Sequence, residues 1–418
     1  MEILLLPAAK LRVNCRRGIY FFATAGSFFD GIFKSGILES GSQKKGRFVM
    51  KRIGVLTGGG DAPGLNAAIR AVVKTSLGIY ENKVFGIRNG YEGLLEEGGV
   101  YPLDYDDVRG ILPLGGTILG AANRGNPFAI EEQQDGETVT RDVSDEVLAR
   151  MEDLELDGLI AIGGDGTLGI ARDLIRKGAR IIGVPKTIDN DVNGTEMTFG
   201  FDTAVDMATE ALDRLHTTAE AHHRAMVLEL MGRHAGFIAL TAGVAGGADV
   251  ILIPEIPFRP EVICEKIAAR VARGTHFSIL AVAEGARQEG GEQVYQSSGG
   301  DGQPKLGGIG QVVAEHISEQ CGVESRLTVL GHLQRGGSPS AHDRWLASRF
   351  GAVAARLADE GAYGRMVALR RGRVDHVDLM EALEDTKRVD VTGEGVRTAR
   401  GLGICMGDQY DYQREIEE

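Results

Sequence analysis

Cysteine is scarce. Four residues, Cys15, Cys264, Cys321 and Cys405, are scattered along 418 positions, and no C-x-x-C pair offers a zinc or dithiol site. Such sparse use fits a reducing compartment, so a cytoplasmic location is expected. Positive charge is in deficit as well: 46 Lys and Arg stand against 59 Asp and Glu, a net charge of −13. That balance argues against nucleic acid as a partner. It does not exclude small phosphorylated ligands, which local arginines decide. No apolar run reaches the length of a membrane span, so no membrane partner is expected. Glycine is the opposite case. Its 60 residues are about 14% of the chain, roughly twice the usual share. They cluster beside acidic and small residues without a collagen-like period, as where backbone must approach a ligand closely.

Residues 1–49 are basic and aromatic, without periodicity. Met50-Lys51-Arg52 then opens a clean strand. The expected reading is an upstream extension of unknown role, with Met50 the true first residue. Glu2 and the lack of a small-residue cleavage site make a poor signal peptide.

From Met50 onward, short apolar runs alternate with helical patterns. Strands are predicted at Ile53–Thr57, Leu159–Ile162, Ile181–Val184, Ala225–Leu228, Val250–Ile253, Phe277–Ala283 and Leu327–Leu330, and helices at Leu65–Leu77 and Leu168–Lys177. This alternation predicts parallel sheets covered on both faces. In such sheets ligands sit outside the carboxyl ends of the strands, which is where most of the polar clusters fall. The Gly-, Gln- and Ser-rich stretch 288–308 reads as a surface loop, and the tail after Arg388 as polar with helical pieces.

Two loops share one design of strand, glycines, aspartate and helix: Gly58–Gly64 and Gly163–Thr167. Such turns present backbone N–H groups and a positive dipole end to anions. The first is not a Walker loop, because Leu65-Asn66 stands where Lys-Ser/Thr is needed; alone it is also readable as a tight turn. In the second, Gly164, Gly166 and Thr167 can admit a phosphate chain while Asp165 holds Mg²⁺ against it. Its plainer reading is a helix N-cap at Asp165. Beyond the next strand comes Lys186-Thr187-Ile188-Asp189-Asn190-Asp191. Alternate residues of an extended chain point the same way, so Thr187, Asp189 and Asp191 are expected to face one site. One carboxylate can take a proton from an alcohol while the other organises magnesium, a division that suits phosphoryl transfer to a hydroxyl. An Asx-rich turn is the plainer reading. A cationic set follows: Arg124, Arg224, Arg233, Arg326, His332 and Arg335, at strand ends or in glycine loops, with the bidentate geometry that phosphate favours.

Taken together, Gly58–Asn66, Gly-Gly-Asp-Gly-Thr, Thr187–Asp191, Met231-Gly232-Arg233 and Gly331–Gly337 resemble the 6-phosphofructokinase family in order and spacing across residues 50–390. The glycine-aspartate loop alone also occurs in NAD kinases, the nearest rival; a non-catalytic regulatory subunit is the alternative of a different class. The resemblance implies an α/β fold of two Rossmann-like three-layer domains with mainly parallel sheets and the active site in the cleft between them. Residues 50–200 plus 334–386 would form the phosphoryl-donor domain, and 201–333 plus 387–418 the fructose 6-phosphate domain.

It further implies that Asp189 is the general base on the sugar 1-hydroxyl, that Asp165 and Asp191 handle Mg²⁺, and that Thr187 binds substrate. Gly60 would offer its N–H to the transferred phosphoryl group, Tyr91 would stack near the nucleotide base, and Met231, Gly232 and Glu284 would hold the sugar. Arg233 would steady the transition state, while His332 and Arg335 would bind the 6-phosphate. Arg124, counted back from Pro127, would bridge donor and acceptor phosphates; counted forward from Gly120, Asn123 takes that place. Arg224 and Arg326 would reach the sugar phosphate of a neighbouring subunit, implying a homodimer or homotetramer. The donor is expected to be ATP, because Gly166 is small where pyrophosphate enzymes carry aspartate. Lys186 points the other way, since it resembles the pyrophosphate enzymes.

Overall fold

The structure is a computed structural model describing residues 50–121, 125–134, 137–296 and 305–409. The 1–49 extension and Arg124 lie outside the described residues. Strands in chain order are β1 (Arg52–Thr57), β2 (Lys83–Ile87), β3 (Val100–Leu103), β4 (Ile130–Gln134), β5 (Glu137–Arg141), β6 (Gly158–Gly163), β7 (Ile181–Pro185), β8 (Ala225–Leu230), β9 (Val250–Leu252), β10 (Ser278–Ala283), β11 (Tyr295–Gln296), β12 (Lys305–Leu306), β13 (Ser325–Val329), β14 (Arg365–Arg370) and β15 (Arg373–Asp378). The principal helices are α1 (Leu65–Gly78), α2 (Ser144–Asp153), α3 (Asp165–Arg176), α4 (Phe201–His222), α5 (Phe237–Ala245), α6 (Pro260–Ala272), α7 (Ile309–His316) and α8 (Ala341–Glu360).

Two sheets carry the molecule. The first has seven strands in the order β15-β14-β7-β6-β1-β2-β3, and the second four in the order β13-β8-β10-β9. Pairing is parallel except at the two edges of the first sheet, β2–β3 and β14–β15. The second sheet is parallel throughout. Period-two alternation divides each strand between two cores. In β1, Ile53 and Val55 pack on one face with α1 and α8, and Leu56 on the other. In β8, Met226 and Leu228 face one core, Ala225 and Val227 the other. Burial on both faces explains why these strands read as unbroken apolar runs.

Sheet order places the crevices. The chain winds outward from β1 to β2 and β3, then returns to β1's other side with β6 and β7. The order therefore reverses between β1 and β6, and both glycine loops leave the carboxyl ends of those strands. In the second sheet the turns after β8, β10 and β13 play the same part.

Several expectations change. Helix α3 starts at Asp165 rather than Leu168, since the glycine pair leads straight into its first turn. The 288–308 stretch contains an antiparallel ribbon, β11 with β12. The cysteines are not all isolated: Cys264 on α6 and Cys321, 57 residues later, are disulfide-bonded, a pairing made by tertiary contact that no local spacing reveals. The tail returns to the second sheet, where Cys405 bridges Val250 at the β9 edge. Among the described residues no helix is long and apolar enough to cross a membrane.

Candidate active site

Gly60 is the meeting point of the two sheets' crevices. A Cβ there would lie 2.8 Å from Nη1 of Arg335, so the guanidinium packs directly on the glycine. The same Nη1 donates to the carbonyl of Asp61 at 3.1 Å, and Lys186 Nζ donates to the carbonyl of Gly60. Arg335 comes from the turn after β13, Lys186 from the end of β7. One loop therefore gathers two cations from opposite sides. Lys186 is 2% exposed, and burial, then Arg335, lowers its ammonium to about 8 against the pull of Asp61, Asp191 and Asp189.

The carboxylates lie beside these cations. Asp189 is raised to about 6, by burial first and Asp191 second, with Arg335, Lys186 and Arg233 opposing. Its Oδ1 is buried without a hydrogen-bond partner. Glu284, after β10, is raised to about 7 by burial and by Asp189, against a backbone N–H from Gly232 and the charge of Arg335. Asp165 is pushed up by burial and by Asp191. Asp189 and Asp191 do converge, but not by strand alternation. Strand β7 ends at Pro185, and Asn190 between them is left-handed with φ 53°. A turn, not a pleat, aims the pair. Thr187 Oγ1 accepts the N–H of Asp189 at 3.1 Å, and Asn190 Oδ1 accepts that of Thr198 at 3.1 Å.

Around them, Met231 is fixed by its N–H to Gln334 Oε1 at 2.8 Å. Gly232 has φ 140°, and a Cβ there would sit 2.9 Å from the Ala235 carbonyl. Arg233 and His332 are exposed. Thr167 is buried under the first loop, where a Cβ on Gly58 would lie 2.6 Å from its hydroxyl. Gly164 caps α3 in extended conformation. Gly166 is the contrast: nothing lies within 4 Å of a Cβ built there. Tyr91 is 4% exposed and donates to the Thr167 carbonyl at 3.1 Å. Its ring is enclosed behind α3, so in this conformation it bears on the loop through Thr167.

Arg224 and Arg326 stand apart. They lie at the amino ends of β8 and β13, while Met231 and His332 follow the carboxyl ends. A strand of six residues separates Arg224 from Met231, roughly 20 Å. Both arginines bind Glu324: Arg224 Nε to Oε2 at 2.9 Å, and Arg326 Nη2 to Oε1.

A segment that sequence reasoning missed closes the site. Lys387 Nζ donates to Asn190 Oδ1 at 3.1 Å and to the carbonyls of Thr195 (3.1 Å) and Glu196 (2.7 Å). Its backbone N–H donates to the Asp191 carbonyl at 2.9 Å, and Thr386 Oγ1 lies 3.5 Å from Asp165 Oδ2. Burial lowers Lys387 to about 8 despite Asp191 and Glu196. The Lys387-Arg388 pair was the only signal, and nothing local shows that the tail folds back.

A family model described as Phosphofructokinase matches residues 52–358. The chain belongs to the phosphofructokinase family. An ATP-dependent 6-phosphofructokinase from Chloroflexus aurantiacus is 53% identical over 361 residues, covering 86% of this chain and 98% of that protein. A pyrophosphate–fructose 6-phosphate 1-phosphotransferase from Streptomyces coelicolor is 50% identical over 342 residues, 81% of this chain and 96% of that one. The T-state phosphofructokinase structure from Pichia pastoris superposes with a TM-score of 0.69 at 30% identity, over 85% of this chain and 37% of that longer chain. Membership in the phosphofructokinase family sets the NAD-kinase alternative aside.

Proposed function

We propose that this chain transfers a phosphoryl group from MgATP to the 1-hydroxyl of fructose 6-phosphate, giving fructose 1,6-bisphosphate. The observation that carries the reading is Asp189: a buried carboxylate with an unpaired oxygen, held near neutral titration beside Arg335, Lys186 and Arg233. A base of that kind takes the hydroxyl proton as the oxygen attacks phosphorus. Thr187 positions the Asp189 backbone. Gly60 offers its N–H to the moving phosphoryl group, with Gly164, Gly166 and Thr167 along the donor phosphates. Arg233 offsets developing charge. Met231, Gly232 and Glu284 hold the sugar, and His332 and Arg335 its 6-phosphate.

Magnesium fits the donor set. Asp165 and Asp191 are close enough to raise the proton affinity of Asp165, and among the described residues no group of three or more metal-ligating side chains is present. Mg²⁺ typically takes one or two carboxylates and fills its shell with phosphate oxygens and water. Bound there, it would neutralise donor phosphate charge.

Residues 50–200 with 334–386 are proposed as the donor domain and 201–333 with 387–418 as the sugar domain, a division supported by sheet membership. A cytoplasmic location is proposed from the polar substrates alone, since the Cys264–Cys321 disulfide removes the support that scattered cysteines gave. A homo-oligomer is proposed because Arg224 and Arg326 lie a strand's length from their own site.

Pyrophosphate is the second donor reading, favoured by Lys186 and by the Streptomyces relative. The open space at Gly166 and the Chloroflexus relative support ATP. Initial rates with fructose 6-phosphate and magnesium, comparing the two donors at equal concentration, decide it: ATP is expected to be faster. Gly166→Asp should abolish ATP use by placing a carboxylate in the α-phosphate's path. Faster turnover with pyrophosphate, or ATP activity retained in Gly166→Asp, overturns the choice.

A further inference from the structure

A cavity of about 450 Å³ is lined by residues that follow the carboxyl ends of β8, β9 and β10, beginning with His234, the neighbour of Arg233. His234 enters it after β8, Arg287 after β10, and Arg388 from the returning tail. Glu292 and Gln293, which lead into β11, and Tyr295, its first residue, form another wall. The volume is that of a small-molecule site. Among the described residues neither Arg287 nor Arg388 makes an ion pair. Glu255 is within electrostatic reach of Arg388, but its carboxylate already accepts the N–H groups of Gly236 and Val389. Two unpaired guanidiniums and an imidazole thus share one concavity on a chain of net charge −13. Guanidinium pairs of this kind match phosphate oxygens, and Gln293, Glu292 and Tyr295 supply partners for an attached hydroxyl.

We propose that this cavity binds a small phosphate monoester as a ligand separate from both substrates. Its walls are coupled to the catalytic groups. Gln293 Nε2 donates to the carbonyls of Arg233 and Gly285, each at 3.1 Å. Arg388 follows Lys387, which holds the Asp189–Asp191 turn through Asn190 and Asp191. A ligand that orders these walls acts on Arg233 from one side and on the carboxylates from the other.

The test is calorimetric titration of glycerol 3-phosphate into the full chain, with the catalytic cleft filled by fructose 6-phosphate and a non-hydrolysable ATP analogue, then by fructose 6-phosphate and methylene diphosphonate. One site per chain is expected, weakened at least about tenfold in Arg287→Gln/Arg388→Gln through loss of both charge-assisted contacts. Arg287→Gln alone should keep turnover within about twofold, since the catalytic reading gives Arg287 no part. No saturable binding with the cleft filled, or unchanged affinity in the double variant, overturns the proposal. Heat of binding is independent of turnover, so a failure here is distinguishable from a failure of the catalytic reading, which is assayed on the same preparation.

Discussion

At the scale of single residues, Asp189 sets activity against stability. Its carboxyl is raised from 3.8 to about 6 in the folded chain. The native state therefore binds more protons than the unfolded state between those values, and stability falls as pH rises through that window. Above pH 6 the buried charge costs about 3 kcal/mol by the size of the shift. Asp189→Asn removes that cost. The variant is expected to unfold at higher temperature than the parent at pH 8 and equally at pH 3, while its turnover drops by about 10²–10⁴-fold. Turnover of the parent should rise with pH up to about 6 and then level. A variant that is active, or no more stable at pH 8, would contradict the assignment. The residue pattern itself was legible: aspartates, threonine and lysine after a strand pointed to phosphoryl chemistry. The reason for their convergence was not, because the left-handed Asn190 is stabilised by Thr198 and Lys387, which sequence spacing does not connect.

At the scale of elements, glycine loops and strands were easier to read than returns of the chain. Buried parallel strands announce themselves as apolar runs. Strand β14 has a short buried run, Met366–Ala368, set between arginines, and β15 alternates valine with arginine, aspartate and histidine, so the far edge of the first sheet gave a weak signal and went unread. The 386–389 segment is the clearest omission. It touches Asp165, Asp191, Asn190 and Glu255 and so ties both glycine-loop chemistry and the second sheet together. Lys387→Met would leave the Thr195 and Glu196 carbonyls without their donor, at about 1–3 kcal/mol for a buried group, and would leave Asn190 Oδ1 with the Thr198 N–H alone. The expected result is a turnover loss of tenfold or more with a smaller change in KM for fructose 6-phosphate, about 1.4 kcal/mol of transition-state stabilisation per tenfold. Near-parental turnover would show that the Asp189–Asp191 turn holds without the strap.

At the scale of the whole molecule, Arg224 and Arg326 lie at the strand ends opposite Met231 and His332, held as a pair by Glu324. Mixed oligomers of Arg224→Ala and Asp189→Asn chains should regain activity, because one interface in the hybrid combines an intact base with an intact arginine. Verified hybrids without recovery would remove the intersubunit role. The tail bears on a different matter, the order in which the chain is made. Strand β14 pairs with β7, and Cys405 bridges β9, so both sheets are finished by residues made after all of their other parallel strands. A nascent chain halted at residue 360 has the glycine loops and all the acidic residues of the site, yet β7 is left as an open apolar edge. Such intermediates are expected to stay protease-sensitive and to depend on chaperones, becoming resistant only when residue 407 has emerged. Pulse proteolysis of stalled chains measures this, and resistance at 360 would show that the core forms without its closing strands. The acidic residues would then be made before the strap that holds them, and translation speed over residues 361–407 would govern the yield of folded chain.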